Sequence, residues 1–70
     1  MIAYFDNQVV HTFLLSINQP FLANVWEEHT SSDMTNRTTY MKTAHWFKRN
    51  FMRNGYGVFN QLEKHVLNGN

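Results

Sequence analysis

The chain reads as an all-α protein, a compact bundle of three to four short helices making a single small domain over residues 1–70. Three observations carry this reading. Apolar residues recur at i, i+1, i+4 and i+5 in successive segments, as on helices with one buried face. Breakers stand between the segments, with Pro20 after the first and Asn54-Gly55 before the last. Six Phe, three Tyr and two Trp supply the bulk for a core. A chain of this length buries only about 60% of its unfolded surface, and each aromatic ring offers roughly 150–250 Å² of burial.

The first helix is expected over residues 8–17, with Val9, Val10, Phe13, Leu14 and Ile17 on one face and Asp6 or Asn7 capping its free amides. A minor alternative is an N-terminal β-hairpin followed by helices, with residues 2–5 turning at Asp6-Asn7 into residues 9–15. Pro20 lacks a donor and restricts the residue before it, so it ends the first helix and suits the first turn of the second. That second helix carries Phe21, Leu22, Val25 and Trp26 inward and closes near His29 or Thr30. A polar loop follows, where Ser32, Asp33 or Thr35 can cap a third and longest helix over about residues 35–53. Tyr40, Ala44, Phe47 and Phe51 form its buried stripe, with Phe47 at the centre. Gly55 supplies a left-handed stop, Tyr56 and Gly57 complete the corner, and a fourth helix over residues 58–67 buries Val58, Phe59, Leu62 and Val66.

Composition narrows the function. Residues 1–33 hold four acids and no Lys or Arg, whereas residues 34–70 hold all six cations and one acid, Glu63, so −4 faces +5 within a net charge of +1. Such a polarised chain is suited to a charged partner. The absence of Cys rules out disulfides, thiolate metal sites and a cysteine nucleophile. No export signal or membrane span is read in the sequence, and the glycosylation pattern Asn36-Arg37-Thr38 is taken as chance. The expected location is cytoplasmic, the cytoplasm of a virus-infected host included. His11, His29, His45 and His65 show no metal-ligand spacing, Glu27 and Glu28 are adjacent and diverge on a helix, and no serine sits in a nucleophile elbow. Four short helices leave little room for a pocket of about 300 Å³. The chain is therefore expected to be no enzyme and to need no cofactor or metal.

The candidate binding residues lie in the basic half. On the third helix Lys42, Arg49 and Arg53 recur at i, i+7 and i+11, opposite the buried stripe, with Trp46 flanking them and Thr38 and His45 on the other border. Cations neutralise phosphates and flat rings stack on bases, so this face suits nucleic acid. Lys48, with Met41 and Met52, forms a shoulder between the two stripes; such methionines usually fill a core margin, and if exposed they suit a protein partner or a homodimer seam. On the fourth helix Asn60, Gln61 and Lys64 are side chains of the kind that read base edges. The corner Asn54-Gly55-Tyr56-Gly57 has the length of a helix-turn-helix turn, a weak signal. Glu27 and Glu28 are candidates to pair with cations of the third helix. The blander account is a solvated face with Trp46 tucked inward. Two functions are expected: a small non-enzymatic regulator that binds DNA or RNA through the third helix, or an inhibitor or adaptor of the phage or mobile-element kind. The latter uses the same face to block a host protein with an acidic or nucleic-acid-binding groove, such as a nucleic-acid-processing or defence enzyme.

Overall fold

The chain enters its first helix at Asp6, whose carboxylate accepts from the backbone N–H groups of Gln8 and Val9 at 2.8 and 3.4 Å. A computed structural model describes residues 2–32 and 35–68. It contains four α-helices, α1 (Asn7–Ser16), α2 (Pro20–Ser31), α3 (Tyr40–Phe51) and α4 (Gly55–Leu67). Two short strands, β1 (Tyr4–Asp6) and β2 (Arg37–Thr39), and a 3₁₀ turn (Met52–Asn54) complete the described chain. The protein is thus a mostly helical bundle with a small two-stranded sheet.

The strands make an N-terminal β element, as the minor alternative has it, but the partner differs. β1 pairs antiparallel with β2, Phe5 opposite Thr38, and residues 9–15 are helical. This pairing also moves the start of the third helix from residue 35 to Tyr40. Thr38 and Thr39 are β-branched and favour extended backbone. Thr39 then caps α3, its hydroxyl oxygen accepting from Lys42 N at 3.3 Å. Asp33, one of the caps expected for this helix, lies outside the described residues.

The other breaks are equally local. Asn18 adopts φ 61°, a left-handed conformation that Asn tolerates better than most residues, and α1 stops there. Pro20 is the first residue of α2. At the far end α3 stops at Phe51, because Met52 turns to φ 48°. Gly55 is not the left-handed stop: its φ is −57° and it opens α4. Its role is close approach. A Cβ placed there would lie 2.5 Å from the Lys48 Cα and 2.9 Å from the Phe47 carbonyl oxygen. A residue without a side chain lets the first turn of α4 press onto the backbone of α3.

Helix α1 packs on α2, and α3 on α4. The two pairs close around Phe47, which is fully buried and meets Phe13, Trp26, Trp46, Phe51 and Phe59 ring to ring, at centroid distances of 5.3–6.5 Å. Such aromatic pairs add about 0.5–1.5 kcal/mol each beyond their area burial. Phe5 carries β1 into the same core, edge-on to Phe59. The inward arc of α2 is Ala23, Trp26 and Thr30, whereas Phe21, expected inside, is exposed. The arc of α3 turns towards Thr43, Trp46 and Phe47, and leaves Tyr40, Ala44 and Phe51 half-buried. Buried Thr43 is satisfied by the Thr39 carbonyl at 2.9 Å and buried Thr30 by the Trp26 carbonyl at 2.9 Å.

One residue ties these parts together. The carbonyl of Asn7 accepts from the indole N–H of fully buried Trp26 at 3.0 Å. Its side-chain amide donates to the Thr35 carbonyl at 3.0 Å, and its side-chain oxygen accepts from the Thr38 hydroxyl at 2.6 Å. Its backbone N–H donates to the Asn36 carbonyl at 2.9 Å. Asn7→Ala keeps the backbone bonds and loses both side-chain bonds, so it should lower unfolding free energy by about 1–3 kcal/mol in urea titration. The two helix-entry glycines should behave oppositely. Gly55→Ala meets backbone on α3 and should destabilise strongly. Gly57→Ala meets only the exposed Asn54 side chain and should be neutral or stabilising by up to about 1 kcal/mol. Equal midpoints for these two variants in thermal melts would refute the close-approach role.

Candidate functional site

The interior of α3 decides what its exterior can offer. Trp46 points inward and is only 6% exposed. Its ring stands edge-on to Trp26, with centroids 5.0 Å apart and planes at 76°, and lies 5.3 Å from Phe47. It therefore cannot stack on a base or wedge into a partner, which corrects the role expected from its flanking position. The physical reason is space. The backbones of α2 and α3 do not run closely side by side, and two indoles are large enough to bridge the gap.

The same divergence leaves a groove between α2 and α3, open to solvent and about 850 Å³ in volume. The expectation that the bundle has little room for a pocket fails for this reason. Val25 and His29 form the α2 wall. Met41, Lys42, His45 and Arg49 form the α3 wall, and Asn50 and the rim of Trp46 complete the lining. No acid lines it. Met41 is 75% exposed at the edge, so it does not fill a core margin. The groove thus joins two cations and two imidazoles to an apolar floor, a setting suited to an anionic ligand with some apolar surface.

The remaining candidates lie elsewhere. Arg53 is not on α3: the turn at Met52 takes it off the stripe shared by Lys42 and Arg49 and into the 3₁₀ turn, where it is exposed. Lys48 does not line the groove but reaches α4, its Nζ 5.5 Å from the ring centroid of Tyr56. Asn60, Gln61 and Lys64 are exposed on α4, away from its buried residues Val58, Phe59 and Leu62. The stripe expected from Lys42, Arg49 and Arg53 is therefore divided, with Lys42 and Arg49 at the groove, and Arg53 with Lys48 at the α3–α4 corner beside the polar side of α4.

Neighbouring groups sharpen this division. Thr38, placed on the border of the basic stripe by helical projection, is in β2 and donates to Asn7. The helix-turn-helix reading loses its geometry, because the corner is Met52–Asn54 and the first turn of α4 contributes Gly55 and Val58 to the interior. A recognition helix of that type uses its N-terminal residues on base edges. Glu27 Oε2 lies 3.3 Å from His11 Nε2 of α1, rather than beside a cation of α3, in the one contact of this kind among the described residues. Glu63 stands beside Tyr40. Partial burial of that phenol, with the hydrogen bond and charge of Glu63, pushes it above its ordinary value, so Tyr40 stays neutral at physiological pH. Among the described residues no three His, Asp or Glu side chains gather to hold a metal ion, and no helix is long and apolar enough to cross a membrane.

Compared with protein families, curated proteins and solved structures, the chain matches none.

His29, Val25 and Asn50 were not among the expected site residues. A signal for the α2 wall does exist, because Phe21, Val25 and His29 recur at i, i+4 and i+8. It is masked because Phe21 and Val25 also fit an inward apolar stripe. Burial of Trp46 gives a direct expectation. Trp46→Ala should cost about 3–5 kcal/mol in denaturant unfolding, while Lys42→Ala should stay within about 0.5 kcal/mol. Similar midpoints for the two variants would show that the indole is not sealed inside.

Proposed function

We propose that the protein is a small non-enzymatic regulator that binds nucleic acid, with Lys42 and Arg49 of the α2–α3 groove contacting phosphate. The observation that carries this reading is a charge distribution. From Lys42 to Arg53 the chain presents four of its six cations, with no acid in that stretch or, among the described residues, in the groove lining. All four are exposed. An acid-free cationic track attracts phosphodiester backbone through counterion release, and that attraction requires no buried contact. His29 and His45 add imidazole nitrogens that can hydrogen-bond a ligand in the groove. Trp46 plays no part in contacting bases.

A second reading is favoured by the groove floor. Exposed Met41 with Val25 and the rim of Trp46 offers apolar surface that a phosphate backbone does not use. It suits an inhibitor or adaptor that seats an acidic, partly apolar segment of a host protein.

The salt dependence of binding tests the first reading. With about three phosphates contacted, log affinity for a duplex should fall against log salt with a slope of about −3, and Lys42→Ala/Arg49→Ala should make the slope shallower by about 2. A flat salt response, or no binding to DNA or RNA at low salt, would remove it. Capture of a protein partner that survives nuclease treatment would establish the second reading in its place.

A further inference from the structure

The α3–α4 corner carries a feature that the groove lacks, an exposed aromatic ring among cations. Tyr56 is 62% exposed. Lys48 Nζ lies 5.5 Å from its centroid, within the range of a cation–π contact. Arg53 is exposed in the adjoining turn. Along α4, Asn60 and Lys64 follow Tyr56 at i+4 and i+8, and all three are exposed, so they share one outward strip about 12 Å long. The one acid of this helix, Glu63, stands half-buried beside Tyr40.

The placement of the ring follows from the backbone. Gly55 lets α4 touch the α3 backbone at Lys48, and this contact sets the next residue, Tyr56, beside the Lys48 side chain. The turn into it is held by Met52 at φ 48°, a conformation that side chains other than Gly and Asn rarely adopt. The Met52 side chain is 83% exposed, so no buried contact of that side chain offsets the strain.

Resting on the nucleic-acid reading above, we infer that Tyr56 is the base-stacking residue of this protein. The strip of Lys48, Tyr56, Asn60 and Lys64, with Arg53 at its end, is a track for single-stranded nucleic acid. Charge complementarity selects this occupant, since three cations, Lys48, Arg53 and Lys64, outnumber the single acid of the helix, Glu63, which lies at i+7 from Tyr56. An exposed ring flanked by cations is how proteins hold single strands without reading sequence: the ring takes a base and the cations take the phosphates on either side. Asn60 is placed to donate to or accept from a base edge or sugar.

The test compares a short oligothymidylate with an abasic phosphodiester strand of the same length, by fluorescence anisotropy at low salt. The wild-type protein should bind the strand with bases about 5- to 100-fold more tightly, as expected for one base on one ring. Tyr56→Ala should lose that preference and bind both strands alike, with an unchanged melting temperature because the ring is exposed. Tyr56→Phe should retain the preference. Lys42→Ala/Arg49→Ala should weaken both strands equally and keep the ratio. If Tyr56→Ala keeps the wild-type preference, the stacking role is overturned while the nucleic-acid reading stands. If the wild-type protein binds neither strand, both fall, and a protein captured in a Tyr56-dependent manner would then be the occupant of this corner.

Discussion

The hydrogen bond from the Trp26 indole to the Asn7 carbonyl is the constraint on which the arrangement of elements depends. Trp26 is fully buried, and its N–H must find an acceptor inside the protein. Leaving it unpaired would cost about 1–3 kcal/mol, a large share of the stability of so small a domain. The acceptor it finds belongs to a residue that also binds Thr35, Thr38 and Asn36, in the one stretch that leads into β2, through its amide, its side-chain oxygen and its backbone N–H. The start of α1, the middle of α2 and the entry to α3 are therefore held at one point. Asn suits that point because it donates and accepts with the same side chain; an Asp carboxylate there could accept from Thr38 but not donate to the Thr35 carbonyl.

This internal arrangement determines the surface. Because Trp26 and Trp46 fill the space between α2 and α3, the indole faces are used inside, and the groove keeps Val25, Met41 and the edge of Trp46 as apolar surface beside His29, Lys42, His45 and Arg49. Because Gly55 brings α4 onto α3, Lys48 is drawn away from the groove and towards Tyr56. Two adjacent residues, Lys48 and Arg49, thus serve different surfaces. Among the described residues the charge asymmetry is not neutralised by pairing, since Glu27 engages His11 and not a cation of α3.

Much of the helical framework was legible in the sequence, and the reasons are specific. Val10, Phe13 and Leu14 on α1, and Val58, Phe59 and Leu62 on α4, sit where their spacing puts them, because each of these helices has a single buried arc with polar neighbours. Pro20 and Asn18 mark a break that backbone chemistry enforces. The β1–β2 pair was not legible: its strands are three residues each and lie more than thirty residues apart, too short for an alternation signal and too distant for a turn signal. The side of Trp46 was misjudged for a different reason. A projection centred on Tyr40, Phe47 and Phe51 places Trp46 at its border, and only the position of Trp26 on another helix decides which way the indole turns. Arg53 left its stripe through the backbone of Met52, a residue whose type gives no warning of a left-handed turn. Tyr56, which carries the stacking inference, was read only as part of a corner, because its exposure depends on Gly55 starting a helix where a stop was expected.

The central claim is that one buried indole, anchored on Asn7, joins the elements. Hydrogen exchange of the two indole protons, followed by NMR, tests it directly. The Trp26 proton should exchange only through global unfolding, at a rate that tracks the denaturant dependence of overall stability. The Trp46 proton, which has no protein acceptor among the described residues, should exchange faster through the open groove. A Trp26 proton that exchanges as fast as that of Trp46, with no dependence on denaturant, would contradict the account.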